Sequence, residues 1–541
     1  MWLRLLKLLP LVLLPALCGA QVPDPQNVLI RNVRIVGADE PVTVSILVRN
    51  NILELVSPDE IPAEEGVSAM DGRNGFVLGE LIVGQTPSFL ILNQDPQADF
   101  EVLLDTDFYT IFAIHDGRLL RNNLFEVAED DSGRQVVSTG WRSYTPPPMA
   151  LPSNYLDTAK WNRWETTYVS GIFLAAGILD RINWLSQNDD SEQQVGDLGL
   201  VEGGEVRGFR VGSIGTLNFD KPWVYTIFGA TNAFDKGFEL ERQDSFTLFD
   251  YRLDIPLFEN WNLSVGKQKE PISHERVQSL IQNPMQERAA VSDAMLPARN
   301  VGIVLSGSAL EQRVTWAGGI FNDWFDAGQS ISESATQFAG RVTWLPHVSA
   351  DESNLVHLGV GLRYSNAKEG VQFLTEPEFN KSPVFVDTGL MTADGLYQLS
   401  LEAGWRRGPW WVGAEYLASD LDSPTLGDPR FDGYHVFGSW VLTGEVRDYN
   451  RKSGIFSQVP VARSVYQGGR GEWELTGRWS SLDLTDGAIS GGEMDIISLG
   501  INWWASPFFG VNLNYRYIWN DRGGLNGESG GFNTRVVLVL E

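Results

Sequence analysis

From about Trp161 to the C-terminus, apolar and polar residues alternate over stretches of ten or more, and few folds accommodate that pattern. In Leu358-Gly359-Val360-Gly361-Leu362-Arg363-Tyr364 the even positions are apolar and the odd ones small or polar. Val511 to Tyr517, Trp473 to Trp479 and Phe338 to Trp344 alternate in the same way. A period of two separates two faces of a β-strand, here an apolar face and one carrying Gly, Asn, Thr, Glu and Arg. The segments exceed the usual strand of about five or six residues and approach the ~10 of a tilted membrane strand. Trp223, Trp261, Trp344, Trp410, Trp411, Trp503, Trp504 and Trp519 lie near segment ends, where the aromatic girdles of a membrane barrel belong. Counting segments predicts roughly 16 strands, an even number as in bacterial outer-membrane barrels. Their centres fall near Phe173, Phe209, Tyr225, Phe249, Leu263, Ile303, Trp316, Ala339, Gly361, Leu401, Val412, Gly438, Leu475, Leu499, Leu513 and Val537. The expected fold class is all-β: a transmembrane antiparallel barrel preceded by a small β-sandwich-like domain. A large soluble β-protein is the competing reading.

Composition narrows the function. After the N-terminus no segment approaches the ~18 unbroken apolar residues of a spanning helix. The mean hydropathy of −0.13 is what cancelling polar and apolar faces produce. With 69 Asp+Glu against 41 Lys+Arg the formal charge is −28, which argues against a nucleic-acid partner. Arg4 and Lys7, an apolar run to Leu17 and the small residues Gly19 and Ala20 predict a signal peptide over residues 1–20. Cys18 is the sole cysteine, so the mature chain is expected to hold no disulfide and no Cys-ligated metal.

Residues 21–124 read as a separate module of short β-segments, and 125–160, with Thr145-Pro146-Pro147-Pro148, as a stiff Pro-rich linker to the barrel at 161–541. The stretches Leu29 to Val36, Val44 to Ile52, Asp71 to Gly79, Gly79 to Pro96 and Ile114 to Arg118 resemble the small β-sandwich of the amidohydrolases. That resemblance implies a metal-binding (β/α)₈ part, for which the chain has no room. The five histidines, His115, His274, His347, His357 and His435, contain no His-x-His pair. The module is therefore expected to be non-catalytic, with a periplasmic partner of unknown kind. No cofactor, metal or catalytic residue is expected anywhere: His-Glu-x-x-His and phosphate-loop motifs are missing.

The barrel region carries a second resemblance. Gly266-Lys267-Gln268-Lys269-Glu270-Pro271, Glu287-Arg288, Pro297 to Gly302, Gly318 to Asn322, Thr443 to Tyr449, Gly469 to Arg478, Gly491-Gly492-Glu493 and Leu499 to Trp504 occur in order and resemble the phosphate-selective porin O and P family of Gram-negative outer membranes. The resemblance implies a 16-stranded barrel, usually a homotrimer in outer-membrane lipid, passing small ions or solutes by diffusion. Two departures stand out: the chain ends in Glu541 rather than an aromatic residue, and its acidity sits poorly with phosphate.

With apolar residues facing lipid, parity places Arg252, Arg341, Arg363, Arg406, Arg447, Arg478 and Arg516 on the pore wall, with Asp250, Glu402, Glu415, Glu445, Glu472 and Glu474. A lipid-facing Arg or Lys near the midplane costs about 2–4 kcal/mol. Pairing, such as Glu445 with Arg447, competes with a direct role in solute passage, and a mixed wall leaves charge selectivity open. The segment from Ser273 to Leu296, with Arg276, Glu287 and Arg288, has few alternating apolar residues and reads as a loop, and the porin resemblance implies that it folds inward as a constriction. Lys267 and Lys269 share parity with apolar neighbours and are expected at the rim or past a bulge rather than at mid-membrane. The acidic stretch Asp189 to Glu205 reads as a solvated loop. The expected function is an outer-membrane porin, with phosphate or another anion as the family-implied solute; the alternative is a binding or adhesion protein that uses the barrel as an anchor.

Overall fold

The computed structural model describes residues 27–122, except 37–41, 60, 63–66, 98–100, 105–109 and 116, and residues 163–540, except 167, 218, 220–221, 232–245, 259, 311, 323–335, 350–351 and 368–369. The signal peptide and the Pro-rich linker expected from the sequence lie outside the described residues.

The N-terminal module contains β1 (Val28–Ile35), β2 (Thr43–Arg49), β3 (Ile52–Ser57), β4 (Ser68–Glu80), β5 (Ser88–Leu92), β6 (Thr110–His115) and β7 (Arg118–Asn122). They form one sheet in the order β3-β2-β1-β4-β5-β6-β7, with β1 and β4 parallel, rather than the two facing sheets of a sandwich. Val28, Ile30, Ile46, Met70, Ile91 and Phe112 make its main apolar cluster.

Beyond the linker come β8 (Arg163–Glu165), β9 (Val169–Gln187), β10 (Gly203–Leu217), β11 (Trp223–Thr231), β12 (Thr247–Phe258), β13 (Trp261–Gln268), β14 (Asn300–Ala309), β15 (Val314–Asn322), β16 (Thr336–Val348) and β17 (Asn354–Asn366). After the two-residue strands β18 (Leu374–Thr375) and β19 (Val386–Asp387) follow β20 (Gly395–Arg407), β21 (Trp410–Asp422) and β22 (Arg430–Val441). Next come the short β23 (Tyr449–Asn450) and β24 (Ile455–Phe456), then β25 (Glu472–Asp486), β26 (Ile489–Ser506), β27 (Phe509–Arg522) and β28 (Leu525–Leu540). Without the short β8, β18, β19, β23 and β24, sixteen long antiparallel strands among the described residues close a barrel, sealed by β28 against β9. Each of the sixteen centres expected from the alternation falls in a different one of these strands. Closure pairs every strand on both sides, so no edge meets lipid.

β27 shows how the sequence dictates the wall. Gly510, Asn512, Asn514, Arg516, Ile518 and Asn520 are buried and face inward, whereas Val511, Leu513, Tyr515, Tyr517 and Trp519 point outward. The hairpin to β28 pairs Arg522 with Leu525 across Gly523-Gly524, both at positive φ (63° and 78°), the backbone a two-residue turn between twisted strands needs. At the rim where β28 ends, here the lower rim, Trp410 stacks on Trp440 at 4.6 Å and Trp473 on Trp503 at 5.6 Å, forming one aromatic belt. Tyr434 against Trp479 and Tyr517 against Trp519 belong to the upper belt.

Three connections turn into the barrel. Residues 269–299, between β13 and β14, cross the lumen with the short helices His274–Val277 and Ala290–Met295. Residues 367–394 fold in from the upper rim: Phe373, Phe379 and Phe385 join Val291, Met295, Leu482, Ile496 and Ile518 in a buried apolar cluster. Residues 442–471 fold in from the lower rim, where Tyr449 and Phe456 pack on Trp411, Phe437 and Leu345. The sequence reading identified only the first of the three as inward. The acidic stretch after β9 forms a short helix, Asp189–Val195, capped by Asn188, and a 3-10 turn, Leu198–Val201, at the upper rim.

Candidate functional site: the lumen and its constriction

Most charged residues that parity assigned to the wall do face inward, but they are buried beneath the three inward segments, where most find a partner. Arg341 forms a bidentate pair with Glu402 (2.8 and 2.7 Å) and donates to the carbonyls of Ser453 and Gly454. Arg363 donates to Glu270 at 2.6 Å and to Gln337 and Gln398. Arg252 pairs with Asp254 at 2.8 Å. Arg478 lies between Glu275 (3.1 Å) and Glu378, and Arg516 is 4.0 Å from Glu378. Arg406 donates to the carbonyls of Arg447 and Glu352. Glu415 accepts the Glu275 N–H at 2.6 Å. Glu472 is fully buried, and neither of its carboxylate oxygens has a hydrogen-bond partner among the described residues.

Glu445 and Arg447 lie inside the barrel on an inward segment rather than on a strand, because β22 ends at Val441 and Gly444 (φ 95°) turns the chain inward. Arg447 pairs with Glu474 at 2.6 Å, not with Glu445. Lys267 and Lys269 are buried rather than exposed at a rim, and Lys269 donates to the carbonyls of Val277 and Gln278. Lys269 lies past the end of β13 at Gln268, where parity no longer applies.

Residues 269–299 are clamped to the opposite wall. Glu287 receives a two-pronged bond from Arg207 on β10, both arms 2.6 Å, and a further bond from Arg535 on β28. Arg535 also grips Asp180, its cross-strand neighbour, at 2.7 and 2.6 Å. Gln286 donates to the carbonyls of Asn512 and Asn533, and Asn502 to that of Pro284. Within the segment, Glu275 accepts from Ala289 N–H and the Ser292 hydroxyl, and Arg276 bonds Asp293 (3.3 Å) and the carbonyl of Leu296. Arg276 and Glu287, both expected at the constriction, thus hold its shape.

Arg288, the third, is different. It is half-buried, donates to the carbonyls of Glu275 and Gln278, and has no carboxylate partner among the described residues. Arg210 on β10 is also half-buried and also without an ion-pair partner among the described residues. Its guanidinium lies 4.5 Å from the Phe249 ring centroid, and Arg299, bonded to Asp250 at 2.6 Å, lies 3.4 Å from the same centroid. The inward positions Gly212, Phe228, Gly302, Ala317 and Gly319 on β10, β11, β14 and β15 are half exposed, as are Ala176 on β9 and Gly359 on β17.

Alternation alone missed Arg210. A β-bulge between Val206 and Gly208 shifts the register against β9, so Arg207 and Arg210, of opposite parity, both face inward. Gly208 within an otherwise regular strand was the available signal.

Glu445 has a separate consequence. Burial pushes its carboxyl up to about 7, against hydrogen bonds from Thr443, its own backbone and the Ala462 N–H. The folded chain therefore binds this proton more tightly than the unfolded chain, whose carboxyl titrates near 4.5. The stabilisation is complete below about 4.5 and is lost as pH rises toward 7. Glu445→Gln should flatten the dependence by ~1–3 kcal/mol between pH 4.5 and 7, measured by urea unfolding of the vesicle-embedded protein. Equal pH slopes for variant and wild type would refute this assignment.

Comparison with known proteins accords with this geometry. Residues 189–530 match the phosphate-selective porin O and P family. An uncharacterised protein of Caulobacter vibrioides is 26% identical over 386 residues, covering 68% of this chain and 73% of that protein. Porin O of Pseudomonas aeruginosa is 25% identical over 252 residues, 40% of this chain and 56% of porin O, a little over half its length. Among solved structures, OmpT of Vibrio cholerae aligns with a TM-score of 0.42 at 10% identity, covering 70% of this chain and 99% of OmpT. The anion-selective porin from Comamonas acidovorans aligns with a TM-score of 0.41 at 12% identity, covering 69% and 100%. The chain belongs to the phosphate-selective porin O and P family, and is an outer-membrane channel for small solutes rather than an enzyme.

Proposed function

We propose that the channel is a passive, anion-preferring porin whose narrowest passage lies between Arg210 on the wall and Arg288 on the constriction. The observation that carries this reading is the contrast in pairing. The buried wall arginines are largely neutralised by carboxylates, while the half-buried Arg210 and Arg288 have no carboxylate partner among the described residues. An unpaired guanidinium attracts anions and presents a fork matched to carboxylate or phosphate oxygens. Much of the chain's acidity lies away from this path, for example at Asp189, Asp190 and Glu192 on the upper rim. The net charge of −28 therefore does not set the charge at the constriction. Long connections at the upper rim and mostly short turns at the lower one favour an extracellular upper rim, and on this reading the N-terminal module is a periplasmic, non-catalytic, amidohydrolase-like β-domain. The family supports a homotrimer, with the outward apolar faces in contact with outer-membrane lipid.

The test is conductance in a planar bilayer under a KCl gradient. Stepwise openings with a reversal potential on the chloride side are expected. Absence of conductance would favour the anchor reading, and a reversal potential on the potassium side would overturn anion preference. Deleting residues 277–291 should raise unitary conductance severalfold, because this crossing segment fills the lumen; unchanged conductance would show that it does not constrict.

A further inference from the structure

The lower-rim segment 442–471 touches both the constriction and the N-terminal module. Ala462 is buried in the same apolar cluster as Val28, Ile30, Met70 and Phe112 of the module. The preceding residue, Val461, is buried in a different cluster with Ile178, Trp504, Val537 and Val539 of the barrel wall, and Ile281 of the constriction packs against that cluster. Two adjacent residues thus join the module's core to the tip of the constriction. The segment is braced on the same side by polar bonds. Arg447 donates to the Gln282 carbonyl at 2.8 Å, Gln278 to the Phe456 carbonyl at 2.8 Å, and the Phe456 N–H to His274 at 3.1 Å. Glu445 accepts the Ala462 N–H, tying the docking residue back to the start of the segment.

We infer that the N-terminal module docks on the barrel's own segment 442–471 through Ala462 and, by holding it in place, sets the width of the constriction. Close-packed contacts transmit displacement because they cannot be compressed, and the route here is one continuous chain of packed groups. Undocking removes the apolar seat of Ala462, frees Val461 to shift, and relaxes the face on which Ile281 rests. The inference rests on the channel reading above.

The experiment uses the full-length protein in bilayers. Ala462→Glu places a carboxylate in the shared cluster and should undock the module. Mean open conductance should rise at least twofold with greater open-state noise, and amide exchange should accelerate across 277–288. Met70→Glu makes the same break from the module side without altering the barrel, so it decides the matter if Ala462→Glu does not assemble. Ala462→Gly, small and uncharged, should behave as wild type. A heat-modifiable, fully assembled Met70→Glu barrel with wild-type conductance and wild-type exchange at 277–288 would overturn the inference. Loss of all conductance in the wild type would instead defeat the channel reading.

Discussion

Replacing Arg210 and Arg288 together by Glu should turn the pore from anion-preferring to cation-preferring. The reversal potential in a KCl gradient should change sign. Each substitution exchanges a positive for a negative charge beside the path. At ~8 Å and an effective dielectric of about 20, a unit charge is worth roughly 2 kcal/mol to a passing ion. Screening over a Debye length of about 8 Å in 0.15 M salt reduces this, so a change of at least ~10-fold in the chloride-to-potassium permeability ratio is the conservative expectation. Arg210→Lys with Arg288→Lys keeps the charge and should keep the sign, though with weaker retention of oxyanions, because the planar fork is lost. Reversing Arg363 gives a useful contrast. It is already paired with Glu270 and buried, so its removal should damage stability more than selectivity. If the double Glu variant keeps the wild-type reversal potential, the path does not run past these two arginines.

The second large effect concerns Glu287, which holds the crossing segment to β10 and β28. It faces Arg207 and Arg535, with all three side chains about 95% buried. Removing one member of a buried charge network costs about 3–5 kcal/mol, chiefly because the remaining charges lose their compensation. Glu287→Ala should therefore lower stability by that amount in urea unfolding. It should also release the end of the segment that positions Arg288, giving a larger, noisier conductance and weaker charge selectivity. Glu287→Gln preserves the shape and one acceptor oxygen, and should fall between Ala and wild type. Unchanged stability together with unchanged conductance in the Ala variant would mean that the clamp neither stabilises the fold nor positions the constriction.

The contrast between these two arginine classes explains which parts of the protein could be read from its sequence. Alternation with period two fixed the strand count, the strand positions and the inward sense of most charged wall residues, because the lipid's exclusion of polar groups acts on each strand locally. Arg341, Arg363, Arg478 and Arg516 were legible in this way. Local rules also marked residues 273–296 as non-strand. They could not show that the neighbouring connections 367–394 and 442–471 also fill the lumen, since their buried aromatics, Phe379 and Phe456 among them, find partners only on distant strands.

Parity failed where the backbone slips by one residue, at the bulge beside Gly208, which turns Arg210 inward. The sequence by itself thus determined the architecture, because a barrel in lipid imposes a one-residue-on, one-residue-off constraint on every strand. Only the tertiary structure decided which charges are spent on one another and which remain open to a solute. Pairing depends on long-range contacts, such as Arg207 with Glu287 and Arg535 with Asp180, that no local periodicity encodes.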